Sequence, residues 1–168
     1  MTYVNIVITG FMGTGKSTVA PVVAEKMGRR FVDADTVLVQ QADKSIPEIF
    51  AQDGEPAFRK LEAEVCVDLA AQTELVIATG GGALLNPDTL AAMSSTGMVV
   101  CLVADESVLE ARLTSEERAG RPLAANLHAL YQQRKPGYDV IPYQIDVNNK
   151  TPEQIAEEII ALWQSVFG

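Results

Sequence analysis

Apolar residues recur along the chain in two alternating rhythms, short unbroken runs and longer stretches with apolar positions every three or four residues. Val4-Asn5-Ile6-Val7-Ile8 is a run and predicts a buried strand. A glycine-rich turn follows, then a helical stretch to about Met27 that Gly28 stops. Arg30 to Asp33 predicts a short second strand, and Asp35 to Asp43 a helix. Ser45-Ile46-Pro47-Glu48 has capping-box spacing and opens another helix. From Glu55 to Gln72, Phe58, Leu61, Val65 and Leu69 make one apolar stripe. Leu75 to Ala78 is a third strand and ends in Gly80-Gly81-Gly82. Asn86-Pro87 opens a helix, Met98 to Val103 is a fourth strand, and Asp105 caps a helix through Leu113. Thr114 to Pro122 is polar and charged and predicts an exposed loop, with helix following to about Arg134. The lone His128 falls on that helix as a surface residue without a role. Tyr143 to Val147 is a fifth strand. Thr151-Pro152 starts the last helix, with Ile155, Ile159, Leu162 and Val166 along one side.

Strands that are apolar throughout, alternating with helices, predict an α/β fold of three layers: a five-stranded parallel sheet flanked by helices on both faces. In such folds ligands sit beyond the C-terminal ends of the strands. With 168 residues the chain is read as one domain, spanning 1–168. The longest apolar run, Met98 to Ala104, is far short of the roughly 20 residues a membrane span needs. The N-terminus carries no basic segment followed by a long apolar one, so no secretory signal is expected.

The turn after the first strand, Gly10-Phe11-Met12-Gly13-Thr14-Gly15-Lys16-Ser17, fits the pattern G-x-x-x-x-G-K-[ST]. A chance match in a chain of this length is well under roughly one in a hundred. The glycines let backbone N–H groups converge on phosphate oxygens, and the helix start adds a positive dipole end. Lys16 supplies a point charge for the β- and γ-phosphates, and the Ser17 hydroxyl is a hard oxygen ligand for Mg²⁺. The pattern therefore predicts a nucleotide-phosphate loop and leaves the acceptor open.

Charge narrows that choice. Thirteen Lys and Arg against 22 Asp and Glu give a net charge of −9, which repels nucleic acid and acidic lipid as broad-surface partners. A small anion is still allowed, provided its positive contacts are local. Two isolated cysteines, Cys66 and Cys101, fit a reducing, cytoplasmic compartment and read as small buried hydrophobes.

Candidate acceptor groups lie at the other strand ends. Asp33 and Asp35 alternate on an extended segment, so both carboxylates can face one site. One suits a metal through water and the other a hydroxyl proton, with helix capping by Asp35 the competing explanation. The three glycines 80–82 allow close approach to the backbone. Arg59 could clamp a carboxylate with Glu62 one turn on to orient it, or it could form a solvated surface pair. Arg121, in the polar loop, reads as a lid arginine or as an ordinary exposed charge. Arg134 reads as a second anion contact or as a cation serving a helix C-terminus.

Taken in order, these pieces resemble shikimate kinase over nearly the whole chain. The resemblance rests on Gly10 to Thr18, Asp33-Ala34-Asp35, Ile46 to Phe50, Gly54-Glu55 with Phe58-Arg59 and Glu62, Gly80 to Gly82, Arg121-Pro122-Leu123, and Arg134 with Tyr138. It implies strand order 2-3-1-4-5, a mobile lid at about 114–124 and a substrate-binding helical region at about 35–62. It also implies phosphoryl transfer from Mg·ATP to the 3-hydroxyl of shikimate, a step toward chorismate and the aromatic amino acids. By the same resemblance Asp35 takes the hydroxyl proton, while Arg59, Arg134, Gly81 and Gly82 hold the substrate. Ser17 and Asp33 serve Mg²⁺, and Lys16 and Arg121 neutralise the transferred group. ATP meets Gly13, Thr14, Gly15, Lys16, Ser17 and Thr18, with Arg112 and Pro152 nearest the adenine. A monomer is the default expectation. Arg121 and Arg134 stand 13 positions apart, closer than is usual in the family, and Ala124 replaces the usual second leucine after Arg-Pro-Leu. Rival readings are a kinase of another polyol acid such as gluconate, a nucleoside monophosphate kinase, and a nucleotide-dependent regulatory module.

Overall fold

The strand at the centre of the molecule is the one that feeds the phosphate loop. In a computed structural model, which describes residues 4–113 and 126–168, β1 (Asn5–Gly10) lies between β3 (Leu75–Ala78) and β4 (Gly97–Val103). β2 (Arg30–Asp33) and β5 (Tyr143–Asp146) complete the sheet at its edges. All pairings are parallel and the order is β2-β3-β1-β4-β5, as expected. Successive residues of a strand point to opposite faces. Ile6, Val7 and Ile8 are each 0% exposed, so helices cover both faces of the sheet. β5 instead alternates half-buried Tyr143 and Ile145 with exposed Gln144 and Asp146, the pattern of an edge.

The helices are α1 (Lys16–Met27), α2 (Ala34–Ala42), α3 (Ile46–Gln52), α4 (Glu55–Ala70), α5 (Pro87–Thr96), α6 (Glu106–Arg112), α7 (Leu127–Asp139) and α8 (Pro152–Phe167), with a 3₁₀ turn at Ala83–Leu85. α1 packs on α8 and over β1, β2 and β3, while α4 and α5 pack on each other. The caps follow the side chains available. Ser45 accepts from the Glu48 amide, Asn86 from Asp88 and Thr89, and Thr151 forms a full capping box with Gln154. Among the described residues no helix is long and apolar enough to cross a membrane.

Some expectations shift. Asp105 stands at the N-cap of α6 but makes no side-chain cap bond. α7 runs past Arg134 to Asp139, through Pro136 and Gly137. The stripe on α8 holds at Ile155 and Ile159, but Leu162 is only half-buried and Val166 is 42% exposed. His128 is exposed and pairs with Glu106. The proposed lid at 114–124, and Arg121 with it, lies outside the described residues.

The register brings the chemistry together. Asp33 at the end of β2 stands beside Ala78 at the end of β3, and Ala78 stands beside Ile8 of β1. Just beyond, Thr9 and Thr79 share a hydroxyl hydrogen bond of 2.9 Å. The phosphate loop, the acidic pair and the triple glycine therefore leave one end of the sheet side by side.

Candidate active site

The turn from β1 to α1 needs glycine at two points for two reasons. Gly10 carries φ +142°, and a β-carbon there would sit 2.5 Å from the Leu102 carbonyl oxygen. Gly15 takes the left-handed conformation, φ 95°, as the N-cap of α1. Lys16 is folded into the loop: its buried ammonium donates to the Gly10 and Phe11 carbonyls at 2.8 and 2.9 Å. Thr14 Oγ1 donates to the Phe11 carbonyl at 2.8 Å. A groove of about 360 Å³ runs along Gly13 to Thr18 and is flanked by Arg112, Lys150 and Pro152. Arg112 is tied to the loop by an Nη1 bond to the Gly13 carbonyl at 3.2 Å.

Asp33, rather than Asp35, caps α2. Its Oδ1 accepts from the Asp35 and Thr36 amides at 2.9 and 3.3 Å, and its Oδ2 accepts from the Ser17 hydroxyl at 3.2 Å. Asp35 is thereby set in the first turn of α2, where it does not serve as the cap. One carboxylate thus links the nucleotide loop to the backbone that aims the other carboxylate.

Beyond them lies a second cavity of about 650 Å³. Asp35, Arg59, Glu62, Gly81, Gly82 and Arg134 line it, so five expected substrate-site residues converge together with the expected orienting Glu62. Ser17, Asp33 and Asp35 line both this cavity and the phosphate groove. Phe50 and Phe58, with ring centroids 4.9 Å apart, supply an apolar wall from α3 and α4.

The three glycines are there for side chains of the site itself, since none has a positive φ. A β-carbon on Gly80 would stand 2.8 Å from Asp35 Oδ1, on Gly81 3.0 Å from Arg134 Nη1, and on Gly82 2.6 Å from Arg59 Nη1. Each glycine makes room for a different functional group. Arg59 is held by Glu62 at 2.8 Å and more loosely by Glu55 at 3.6 Å. Burial pushes the Glu62 carboxyl above the usual carboxylate range, and Arg59 pulls it part of the way back. Arg134 is buried in the middle of α7, so the helix-end explanation for it does not hold.

Two groups of site residues carry little signal in the sequence. Thr36, Val39 and Gln40 line the cavity from α2. They follow Asp35 at helical spacing, so the face was readable once Asp35 was placed. Tyr138, part of the resemblance but given no role by it, is the other: its hydroxyl reaches 57 positions back to donate to the Gly81 carbonyl at 2.5 Å.

Comparison with known proteins gives a consistent answer. A family model described as shikimate kinase matches residues 12–164. A shikimate kinase of Caldanaerobacter subterraneus is 38% identical over 98% of this chain and 98% of its own. One of Lactococcus lactis is 42% identical over 95% and 98%. A solved shikimate kinase from Acinetobacter baumannii, in complex with shikimate, superposes with a TM-score of 0.92 at 33% identity, covering 99% of this chain and 96% of that one. A gluconokinase from Sinorhizobium meliloti, at 19% identity and a TM-score of 0.60, shares the fold alone.

Proposed function

The chain belongs to the shikimate kinase family, and from that premise we infer how its residues carry out the transfer of the γ-phosphoryl group of ATP to the 3-hydroxyl of shikimate. One observation supports the assignment of roles most directly. Among the described residues, the acceptor cavity and the phosphate groove share Ser17, Asp33 and Asp35 and no others in their walls. A hydroxyl in one and a terminal phosphate in the other face each other at that seam.

In this reading the shikimate carboxylate lies between the guanidinium groups of Arg59 and Arg134, and the ring rests on Gly81 and Gly82. Planar guanidinium donors match a carboxylate in pairs, which also fixes the ring's orientation. Asp35 holds the 3-hydroxyl and takes its proton as the oxygen bonds to the γ-phosphorus. The bond to the bridging oxygen breaks, and ADP leaves with that electron pair. Lys16 exchanges its two loop carbonyls for phosphate oxygens. Arg121, placed by its motif, serves the transferred group. The positioning of two reactants accounts for most of the rate in such transfers.

The oxygens of Ser17 and Asp33 are hard donors of the kind magnesium takes, and they lie 3.2 Å apart at the rim of the groove. Among the described residues no cluster of three or more His, Cys, Asp or Glu could hold a metal unaided. That donor set fits an ion carried in largely by the nucleotide's phosphates. Mg²⁺, when bound, would neutralise charge on the β- and γ-phosphates, with Ser17 as its protein ligand and Asp33 reaching it through water.

ADP release from Mg·ATP, measured with shikimate and with gluconate and AMP as controls, tests the reading. Stimulation by shikimate alone is expected; stimulation by gluconate or AMP instead would overturn it. Asp35→Asn should cut turnover by about 10²–10⁴, the usual weight of a positioned proton acceptor, with a smaller change in shikimate KM. Turnover near that of the parent would remove Asp35 as the base.

A further inference from the structure

α7 delivers two side chains to the site. Arg134 and Tyr138 are four residues apart, so they stand one above the other on the same face of the helix. Tyr138 is 5% exposed, and its phenol has three neighbours. The hydroxyl donates to the Gly81 carbonyl. The nearby Arg134 guanidinium is one of the charges opposing the burial that pushes the phenol up to about 12. The ring meets Phe11 of the phosphate loop edge-on, with centroids 6.5 Å apart and planes at 78°.

The backbone under Tyr138 is fixed from outside the helix. Gln144 of β5 donates to the Tyr138 and Ile141 carbonyls at 2.9 and 3.2 Å. Gly137 lets α7 press against the 3₁₀ turn that follows the glycines: a β-carbon there would lie 2.3 Å from Leu85 Cδ2. At Gly81, Arg134 Nη1 and the Tyr138 hydroxyl converge on one spot, 3.0 and 3.5 Å from where a β-carbon would be. A phenylalanine would satisfy the packing, so the hydroxyl is present for its polar partners.

We propose that Tyr138 is a positioning residue that ties Arg134 and Gly81 to the phosphate loop, and so sets where the shikimate carboxylate sits relative to the terminal phosphate of ATP. It acts through Arg134 and Gly81 and takes no part in the chemistry. The proposal rests on Arg134 being a carboxylate ligand.

The test is a double-mutant cycle of Tyr138→Phe with Arg134→Ala, reading KM for each substrate, kcat and melting temperature. Tyr138→Phe keeps the Phe11 contact and removes the hydroxyl. The expected result is a rise of about tenfold in shikimate KM, with kcat and ATP KM moving far less, because an interaction made equally in ground and transition states was lost. In the Arg134→Ala background the same change should add less than about twofold, since the residue through which it acts is gone. An unchanged shikimate KM would sink the proposal. So would a parallel loss for both substrates, a fully additive cycle, or failure of Tyr138→Phe to fold, which would assign the hydroxyl to stability. If Arg134→Ala by itself leaves shikimate KM unchanged, the carboxylate assignment beneath the proposal is what has failed.

Discussion

A β-carbon added at Gly82 would collide with the Arg59 guanidinium, whose Nη1, Nη2 and Cζ are its nearest neighbours at 2.6, 2.9 and 3.0 Å. The clash falls on the far end of a flexible side chain, and the backbone at Gly82 has an ordinary φ of −96°. Gly82→Ala should therefore fold with a melting temperature within a few degrees of the parent, while Arg59 is displaced from the carboxylate. Shikimate KM should rise by about tenfold or more and ATP KM stay unchanged. Equal loss for both substrates would mean that the glycine serves the fold. Glu62 allows a second residue-level prediction, through pH. Its carboxyl titrates above its ordinary value of 4.5, chiefly because it is buried. The folded state therefore binds this proton more tightly than the unfolded state does. The stability that results is fully present below about pH 4.5 and is lost as pH rises through the raised folded value. Glu62→Gln has no such titration. Its melting temperature should compare least favourably with the parent near pH 4 and gain on it toward pH 7. About 1 kcal/mol corresponds to roughly 2–4 °C in a chain of this size. A gap that widened toward neutrality would contradict this account.

Among the elements, α2 depends on its first carboxylate for two separate things. Asp33 caps the helix with one oxygen and meets Ser17 with the other. Asparagine caps about as well as aspartate but carries no charge. Asp33→Asn should keep stability within about 0.5 kcal/mol and lose activity most steeply at low Mg²⁺. Asp33→Ala should lose that activity and about 1 kcal/mol of stability as well. Equal melting temperatures for the two variants would show that the cap contributes nothing. The same helix illustrates what sequence can convey. The phosphate loop, the strand-helix alternation and the acidic pair were legible because each is a local pattern. That Asp33 rather than the expected Asp35 is the cap was not, because the two stand two positions apart at the start of one helix and only the backbone decides. α7 was misjudged in length for a related reason. Pro136 and Gly137 are stop signals locally, yet Pro136 deprives only the carbonyl four residues back, and Gln144 from β5 holds the carbonyls at the helix end. Why glycine stands at 80, 81 and 82 was also hidden, since the side chains that need the space come from α2, α7 and α4.

Across the whole molecule, the two cysteines report on two depths of structure. Both are fully buried, and burial is the main reason each thiol is pushed up to about 12. At neutral pH neither is a thiolate in the folded protein, so labelling by a thiol reagent must wait for an opening. The two openings differ. Cys101 lies in β4, hydrogen-bonded between β1 and β5, and is reached only when the sheet comes apart. Cys66 lies on α4, the helix that also carries Phe58, Arg59 and Glu62, and can be reached when that helix lifts away. Helices around a substrate cavity belong to the less stable part of such a fold, because they have to admit the substrate. Native-state labelling, with the site assigned by mass spectrometry, should thus find Cys66 reacting about tenfold faster than Cys101. Shikimate should slow Cys66 and narrow the gap, because it binds only when α4 is docked. Labelling of both cysteines at one common rate would mean that α4 and the sheet open as a single unit. Substrate entry would then need a different moving part.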